Sequence, residues 1–283
     1  MAPEGDVYVS ESEPIGVNTD RIKQKFEMIR RQQRPSLLVF LTVGFPDLDA
    51  TMELVPALVE AGADGVELGV PFSDPLGDGP VIQESSFKAL QEGVTLADCF
   101  TTVEKLRDKV PDTPLVFMGY YNPIYNYGLR NFAEEAQRVG VDGVIVPDLP
   151  HDEAGPLTVE CASRGVHVVP LLAPTSTAES VKAACADATG FIYCVSVTGV
   201  TGARNQVASV GMDLVDRARA GTSLPLAVGF GISQREHVVD VCRKADAAVV
   251  GSALVRVMLE SPRDQLIERA SQLVAELAGK PVP

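Results

Sequence analysis

Short apolar runs alternate with longer stretches of helical pattern along most of this chain, and this alternation limits its possible folds more than any other feature. Each run is four to six residues long, which suits one β-strand and is too short for a buried helix. The runs predict eight strands, at residues 37–42, 65–69, 115–119, 143–147, 166–171, 191–195, 225–229 and 246–251.

The stretches between the runs carry apolar residues at helical spacing, for example at 130–139, 179–188 and 234–243. Apolar strands separated by helices are typical of a parallel sheet that is covered on both faces. Because eight βα units favour a closed sheet over an open one, the sequence predicts an α/β fold, a (β/α)8 TIM barrel. Pro56 falls within a further helical pattern and is expected to bend that helix.

The domain organisation follows from where the patterns begin. Residues 1–18 contain four acidic residues and no periodic apolar positions, so we expect a loose N-terminal tail. Ile22, Phe26 and Ile29 then recur at helical spacing and predict an extra N-terminal helix that covers one end of the domain. Residues 19–283 are predicted to form a single barrel domain, which their number allows.

Charge and cysteine usage exclude several classes of protein. The formal net charge of −14 argues against a nucleic-acid-binding surface, which requires clustered Lys and Arg. No apolar stretch is long enough to span a membrane. The cysteines are scattered, without paired spacing, and indicate buried thiols in a reducing compartment, so we expect a cytoplasmic protein; they are Cys99, Cys161, Cys185, Cys194 and Cys242.

Chemistry is expected where strands end and βα loops begin. Residues 66–80 read VELGVPFSDPLGDGP and place Glu67 inside the second apolar run. No Lys or Arg lies between Arg34 and Lys88 to pair with it. Burial would raise the pKa of Glu67 towards neutrality, as a proton-transfer residue requires, although backbone donors could also hold it as a structural residue.

Asp74 and Asp78 follow in a loop rich in Gly and Pro. Turn formation is the favoured interpretation of Asp74, while Asp78 can serve either a turn or catalysis. A divalent metal held by Glu67, Asp74 and Asp78 is a further hypothesis, because hard cations accept oxygen ligands.

Glycine-rich segments follow the last three strands, at 196–204, 229–233 and 251–253. Barrel enzymes often bind phosphate there, through backbone N–H groups and a helix N-terminus. Ser233 and Ser252 are expected to open the helices beside two of these segments. The pattern predicts a phosphate site, and the alternative is that the glycines only form tight turns.

Two known aldolase mechanisms lack the residues they need in this sequence. A Schiff-base enzyme needs a Lys at a strand end, yet all the lysines fall in predicted helices or tails. A zinc enzyme needs clustered imidazoles, whereas His151, His167 and His237 lie on separate segments and are interpreted as surface or packing residues. No metal site is expected.

Residues 66–80 resemble, without gaps, the signature of the tryptophan synthase α-subunit family. The segments 121–123, 199–203, 229–233 and 251–253 resemble the family in the same order, and the resemblance covers roughly residues 20–260. It implies retro-aldol cleavage of indole-3-glycerol phosphate to indole and glyceraldehyde-3-phosphate, with Glu67 and Asp78 as the catalytic pair.

The resemblance also implies the remaining site residues. Phe40, Tyr120, Tyr193 and Phe230 are implied to wall the indole pocket, with ordinary barrel core as the alternative. Thr201 is implied to order the site around Asp78. The phosphate is implied to bind at Gly202, Gly231, Gly251 and Ser252. Two positions depart from the family. Gly77 stands where Ala is usual, which predicts a more flexible loop. Arg204 stands where other residues are common, so we expect it to affect how the preceding loop closes.

A β-subunit partner is implied in the same way, in an α2β2 heterotetramer, with pyridoxal phosphate only in that partner and no cofactor in this chain. Three alternatives keep the barrel and change the function. They are a free-standing indole-releasing lyase, another phosphosugar-processing barrel such as an isomerase, and a non-catalytic subunit that activates a β partner.

Overall fold

The computed structural model describes residues 20–195, 204–229 and 231–281, with the backbone only for 204–211. Its helices are α1 Arg21–Gln32, α2 Leu48–Ala61, α3 Pro80–Gln91, α4 Leu96–Lys109, α5 Tyr121–Tyr127, α6 Leu129–Val139, α7 Gly155–Ala162, α8 Ala178–Asp187, α9 Arg204–Gly221, α10 Arg235–Val241, α11 Ser252–Glu260 and α12 Leu266–Ala278. Its strands are β1 Leu37–Thr42, β2 Gly65–Gly69, β3 Leu115–Met118, β4 Gly143–Ile145, β5 His167–Val169, β6 Leu171–Leu172, β7 Ile192–Val195, β8 Leu226–Gly229 and β9 Ala247–Val250.

The strands form one parallel sheet in the order β5-β4-β3-β2-β1-β9-β8-β7-β6. Its two outermost strands, β5 and β6, are consecutive in the chain and flank Pro170, so the sheet curves round to a nearly closed barrel. Helices surround it, and residues from the strands and from the inward faces of the helices form the main core. The predicted (β/α)8 TIM barrel is confirmed, and α2 continues through Pro56.

The prediction of a single strand at 166–171 is wrong. Pro170 has no N–H group and cannot donate to a neighbouring strand, so the run divides into β5, which pairs with β4, and β6, which pairs with β7. The Pro170 carbonyl still accepts a hydrogen bond from the Tyr193 N–H, at 3.0 Å. The other predicted strands are present, several of them one or two residues shorter.

The predicted N-terminal helix is α1, which begins at its N-cap Asp20. Its buried residues Ile22 and Phe26 pack with Leu38 and Phe191 from the barrel interior, so α1 closes the end of the barrel where the strands begin. The predicted tail at 1–18 lies outside the described residues, and that domain boundary stays a prediction. No helix in the part of the chain that the structure describes has the length and apolar character needed to cross a membrane.

Three aspartates, two of them buried, join neighbouring strands at this same end. Asp142, just before β4, accepts hydrogen bonds from the Leu115 N–H at 2.8 Å, from Arg107 Nη2 at 2.9 Å and from Arg21 Nη1 at 3.0 Å. Asp64, before β2, bonds the Leu37 N–H, and Asp246, before β9, bonds the Leu226 N–H; each also pairs with an arginine. These contacts hold the register of adjacent strands.

We expect Asp142→Ala to lower the free energy of unfolding by about 3 to 5 kcal/mol, because it leaves the largely buried Arg107 guanidinium without its carboxylate. Asp216→Ala is the matched control, since it removes an exposed ion pair with Lys244 and should cost less than about 1 kcal/mol. Urea denaturation of both variants measures the difference. Equal midpoints would contradict a stabilising role for Asp142.

Candidate active site

The candidate site lies where the strands end, at the face opposite α1. A small cavity opens there between β1, β2, β3 and the start of α3. It is lined by Phe40, Thr42, Gly69, Val70, Asp78, Ile82, Ser86, Met118, Gly119, Tyr120 and Pro147. The sequence predicted three of these, Phe40, Asp78 and Tyr120, from the resemblance.

Glu67 lies inside the barrel, in register between Phe40 of β1 and Val116 of β3. The residue is 1% exposed, and neither carboxyl oxygen has a hydrogen-bond partner. Burial raises the pKa of Glu67 to about 8, so the side chain carries a proton at neutral pH. The alternative of a Glu held by backbone donors is not what the structure shows. A protonated carboxyl in an apolar environment can act as a general acid.

Asp78 occupies the loop between β2 and α3 and is half-buried. Burial raises the pKa of Asp78 to about 6, while a hydrogen bond from the Tyr120 hydroxyl opposes that rise. Asp78 is therefore mainly ionised at neutral pH, where Glu67 is mainly protonated. Two carboxyl groups with pKa values on either side of neutrality can divide the tasks of acid and electrostatic stabiliser.

Tyr193 on β7 lies near enough to both carboxyl groups to respond to their charges. Burial raises its pKa first, and the nearby charges of Glu67 and Asp78 raise it further, so its hydroxyl stays protonated. Glu67 lines the enclosed space towards α1 and Asp78 lines the cavity at the mouth. Gly229 leaves room for the Tyr193 hydroxyl, because a Cβ at that position would lie 2.8 Å from it. Tyr193 is therefore a core residue that also lies near the two carboxyl groups.

Several contacts hold the loop that carries Asp78. The Phe72 N–H donates to Ser86 Oγ at 2.9 Å, and Gln83 Nε2 donates to the Asp78 carbonyl at 2.8 Å. The Gly77 N–H donates to the Tyr120 hydroxyl at 2.9 Å, and the Phe72 and Tyr120 rings stack with centroids 5.1 Å apart. The loop predicted to be more flexible at Gly77 is anchored at that residue.

Asp74 has an exposed side chain that accepts a hydrogen bond from Ser73 Oγ at 2.5 Å. Its role as a turn residue stays a prediction. The three-carboxylate metal hypothesis finds no support in this geometry. Among residues 20–195, 204–229 and 231–281, no group of three or more His, Cys, Asp or Glu side chains is arranged to hold a metal ion.

Of the predicted phosphate loops, the one at 251–253 lies at the same mouth. Gly251 is the N-cap of α11 and Ser252 is its first residue, as predicted, so the free N–H groups of this helix start face solvent near the cavity. A Cβ on Gly251 would lie 3.6 Å from Phe40 and 3.8 Å from Ile82, two residues of the cavity wall. Gly231 is exposed and has a φ of 57°, a conformation that favours glycine. Thr201, Gly202 and Phe230 lie outside the described residues.

Two helix assignments that were predicted from the sequence are wrong. Ser233 does not open α10, because that helix begins at Arg235 after the N-cap Gln234. Lys244 lies in a turn after α10 rather than in a helix, but that turn precedes β9 and faces away from the mouth. The histidines are separate, with His151 near Asp187 and His167 near Asp20.

The sequence did not predict the other eight residues that line the cavity, nor Phe72, whose ring stacks on Tyr120. Phe72 lies within the signature and Met118 ends the third strand, so both positions carried a signal. Ile82 is visible only once α3 is known to begin at Pro80, next to the mouth.

Comparisons with known proteins agree with this geometry. A family model described as tryptophan synthase alpha chain matches residues 26–280. The tryptophan synthase alpha chain of Chloroflexus aggregans is 46% identical over 92% of this chain and 97% of its own length. That of Roseiflexus castenholzii is 45% identical over 92% of this chain and 99% of its own length.

Solved structures agree as well. The tryptophan synthase alpha chain of Legionella pneumophila has a TM-score of 0.83 and 32% identity, covering 92% of this chain and 96% of that chain. A structure of Mycobacterium tuberculosis tryptophan synthase has a TM-score of 0.83 and 36% identity, covering 92% and 97%. The chain therefore belongs to the tryptophan synthase alpha chain family.

Proposed function

We propose that Glu67 and Asp78 carry out the cleavage of indole-3-glycerol phosphate into indole and glyceraldehyde-3-phosphate, the carbon–carbon lyase reaction of this family. The observation that carries the assignment is the contrast between two carboxyl groups in this end of the barrel, the buried Glu67 and the half-buried Asp78, with pKa values of about 8 and about 6. They supply a proton donor and an anion at the same pH.

The proton inventory of the reaction fits Glu67. The bond between the indole ring and the glycerol chain breaks, the ring carbon gains a proton, and the adjacent hydroxyl loses one as it becomes an aldehyde. The protonated Glu67 delivers its proton to the ring carbon and recovers one from the hydroxyl, so the residue returns to its starting state.

Asp78 acts on the charge that develops during cleavage. The ring nitrogen becomes positive when the ring carbon is protonated, and an ionised carboxylate near the ring N–H lowers the energy of that state. Phe40, Tyr120, Tyr193 and Phe230 form the walls of the indole pocket. We assign to Thr201, from the resemblance alone, the role of ordering the site around Asp78.

The phosphate binds at the amino end of α11 and the neighbouring loops. Backbone N–H groups at Ser252, Gly251, Gly231 and Gly202 meet its charge, which the positive end of a helix dipole favours. The adjacency of Gly251 to Phe40 and Ile82 supports a substrate that reaches from this anion site to the mouth cavity.

The reaction needs no cofactor in this chain, because the carboxyl groups and backbone amides supply the acid, base and anion-binding functions. Pyridoxal phosphate belongs to the partner. A cytoplasmic site of action suits the five free thiols, four of them buried.

A tryptophan synthase β subunit is the partner, and we assign an α2β2 assembly. Leu76 lies on the loop that bears Asp78 and is 92% exposed, so a docking partner can bury it and hold that loop. Docking would then favour the conformation that closes over the substrate. The structural neighbours from Mycobacterium tuberculosis are described as tryptophan synthase.

We expect indole release by this chain to rise at least about tenfold when the cognate β subunit is added, because the partner favours the closed loop. The measurement is indole formed from indole-3-glycerol phosphate, with a β subunit whose pyridoxal phosphate chemistry is not engaged. Light scattering of the mixture tests the α2β2 composition.

Equal rates with and without a β subunit that demonstrably binds would favour the free-standing lyase. No indole under either condition, from a folded chain, would favour the isomerase or the non-catalytic subunit. None of these three alternatives is favoured by the family match or by the retention of both carboxylates.

A further inference from the structure

Tyr120 touches the Asp78 loop at more than one point. It is the residue immediately before α5, and its ring stacks on Phe72 with an interplanar angle of 27°. Its hydroxyl accepts the Gly77 N–H at 2.9 Å. Tyr120 and Asp78 line the same cavity, where the hydroxyl is close enough to the Asp78 carboxyl to lower its pKa. Two consecutive residues of the loop therefore meet one phenol group.

The direction of these hydrogen bonds is fixed by chemistry. An amide N–H can only donate, so the Tyr120 oxygen accepts from Gly77 and its own proton is free to point to the Asp78 carboxylate. A hydrogen bond to an ionised acceptor is stronger than one between neutral groups. Burial raises the pKa of Tyr120 to about 12, so this proton stays in place at physiological pH.

Gly77 determines how closely the hydroxyl can approach. A Cβ on Gly77 would lie 3.2 Å from Tyr120 Oη, which is tighter than ordinary contact and would press the hydroxyl away. The φ of Gly77 is not in the left-handed region, so the glycine is required for space and not for backbone conformation. In this chain the absence of a side chain at position 77 leaves the hydrogen bond unobstructed.

We propose that Tyr120 is a positioning residue for this reaction, whose hydroxyl holds both the Asp78 carboxylate and the backbone of its loop, with Gly77 leaving the space for it. The proposal rests on the role assigned to Asp78 above. This role gives Tyr120 a polar function in addition to its place in the wall of the indole pocket.

The titratable groups around Asp78 define the pH test. Tyr120 acts on Asp78, the charges of Asp78 and Glu67 both act on Tyr193, and the charge of Asp148 acts on Tyr120. Of these, the Tyr120 hydrogen bond lowers the pKa of Asp78. Its removal should therefore raise that pKa and move the acid limb of the pH–kcat profile to higher pH.

The test compares Tyr120→Phe with the unmodified chain, both assembled with the β subunit and supplied with indole-3-glycerol phosphate. We expect kcat to fall about tenfold, KM to change less than about threefold, and the acid limb to move upward. Tyr125→Phe is the matched control, because that tyrosine is exposed on α5 and should leave rate and profile unchanged.

Gly77→Ala tests the second half of the proposal. It should lower kcat and move the acid limb in the same direction as Tyr120→Phe, and it should add little when introduced into the Tyr120→Phe chain. Additive losses in the double variant would show that Gly77 does not act through the hydroxyl and would overturn that part.

The outcomes separate this proposal from the proposed function. If Asp78→Asn abolishes turnover while Tyr120→Phe leaves kcat and the acid limb in place, the positioning role is wrong and the role of Asp78 stands. If Tyr120→Phe lowers kcat without moving the acid limb, its effect is structural and the proposal is also overturned. Full activity of Asp78→Asn would remove the basis of both.

Discussion

Glu67→Gln should reduce indole formation at least about a hundredfold, because the amide keeps the size of the side chain but cannot transfer a proton. The assay is indole release from indole-3-glycerol phosphate with the β subunit present. Glu92→Gln, an exposed substitution just beyond α3, is the matched control and should retain full activity. Activity of Glu67→Gln within threefold of the unmodified chain would remove Glu67 from the mechanism.

The Glu67→Gln chain should be more stable than the unmodified chain at high pH. That result would show that its loss of activity does not come from unfolding. Folding raises the pKa of Glu67 from 4.5 to about 8, so the native chain holds a proton that the unfolded chain has released between those values. Stability therefore falls as pH rises through that window, by about 1.4 kcal/mol per pH unit, and the full cost is present above pH 8.

Glutamine removes this cost. The melting temperature of Glu67→Gln should exceed that of the unmodified chain at pH 8, and the two should converge below pH 4.5, where the carboxyl is protonated in both states. A difference that does not depend on pH would mean that Glu67 is not a buried carboxyl of raised pKa.

Asp78→Asn should lower kcat by about a hundredfold while glycerol phosphate still binds, because the proposed anion site at α11 is separate from the loop at 71–79. The unmodified chain should lose activity as the pH falls through about 6, when Asp78 gains a proton, and the variant should lack this acid limb. Steady-state kinetics and calorimetric titration with glycerol phosphate measure both effects.

Asp74→Asn is the control from the same loop, assayed on the isolated chain so that partner docking does not enter. Its side chain is exposed and asparagine can form the same turn, so activity should stay within about threefold. Loss of glycerol phosphate binding in Asp78→Asn would contradict the separation of anion site and carboxylate.

Sequence reasoning predicted the barrel because continuous apolar strands and helical spacing are local patterns, as β1 illustrates with six buried residues in a row. It failed at Pro170, where the local pattern reads as one strand and only the hydrogen bonds to two different neighbours divide it. A run of apolar residues does not show which neighbouring strand each of its residues pairs with.

The candidate site also contains residues that a local sequence pattern predicts and residues that it does not. Glu67 could be found from the sequence because a carboxylate within an apolar run, far from any cation, is unusual wherever the chain folds. The contact of Tyr120 with Gly77 and Asp78 joins segments more than forty residues apart, and no local signal predicts it. The resemblance implied Tyr120 as a wall residue, and only the structure shows its hydroxyl at the loop.

The aspartates before β2, β4 and β9 have an evolutionary consequence. They fasten the strands at the end closed by α1, whereas the proposed catalytic and anion-binding groups lie at the other end. Mutations that adapt the mouth to a new substrate act on loops that do little to hold the barrel together. Selection can therefore change the proposed catalytic face, while the contacts that stabilise the fold lie at the end of the barrel that does not contact the substrate.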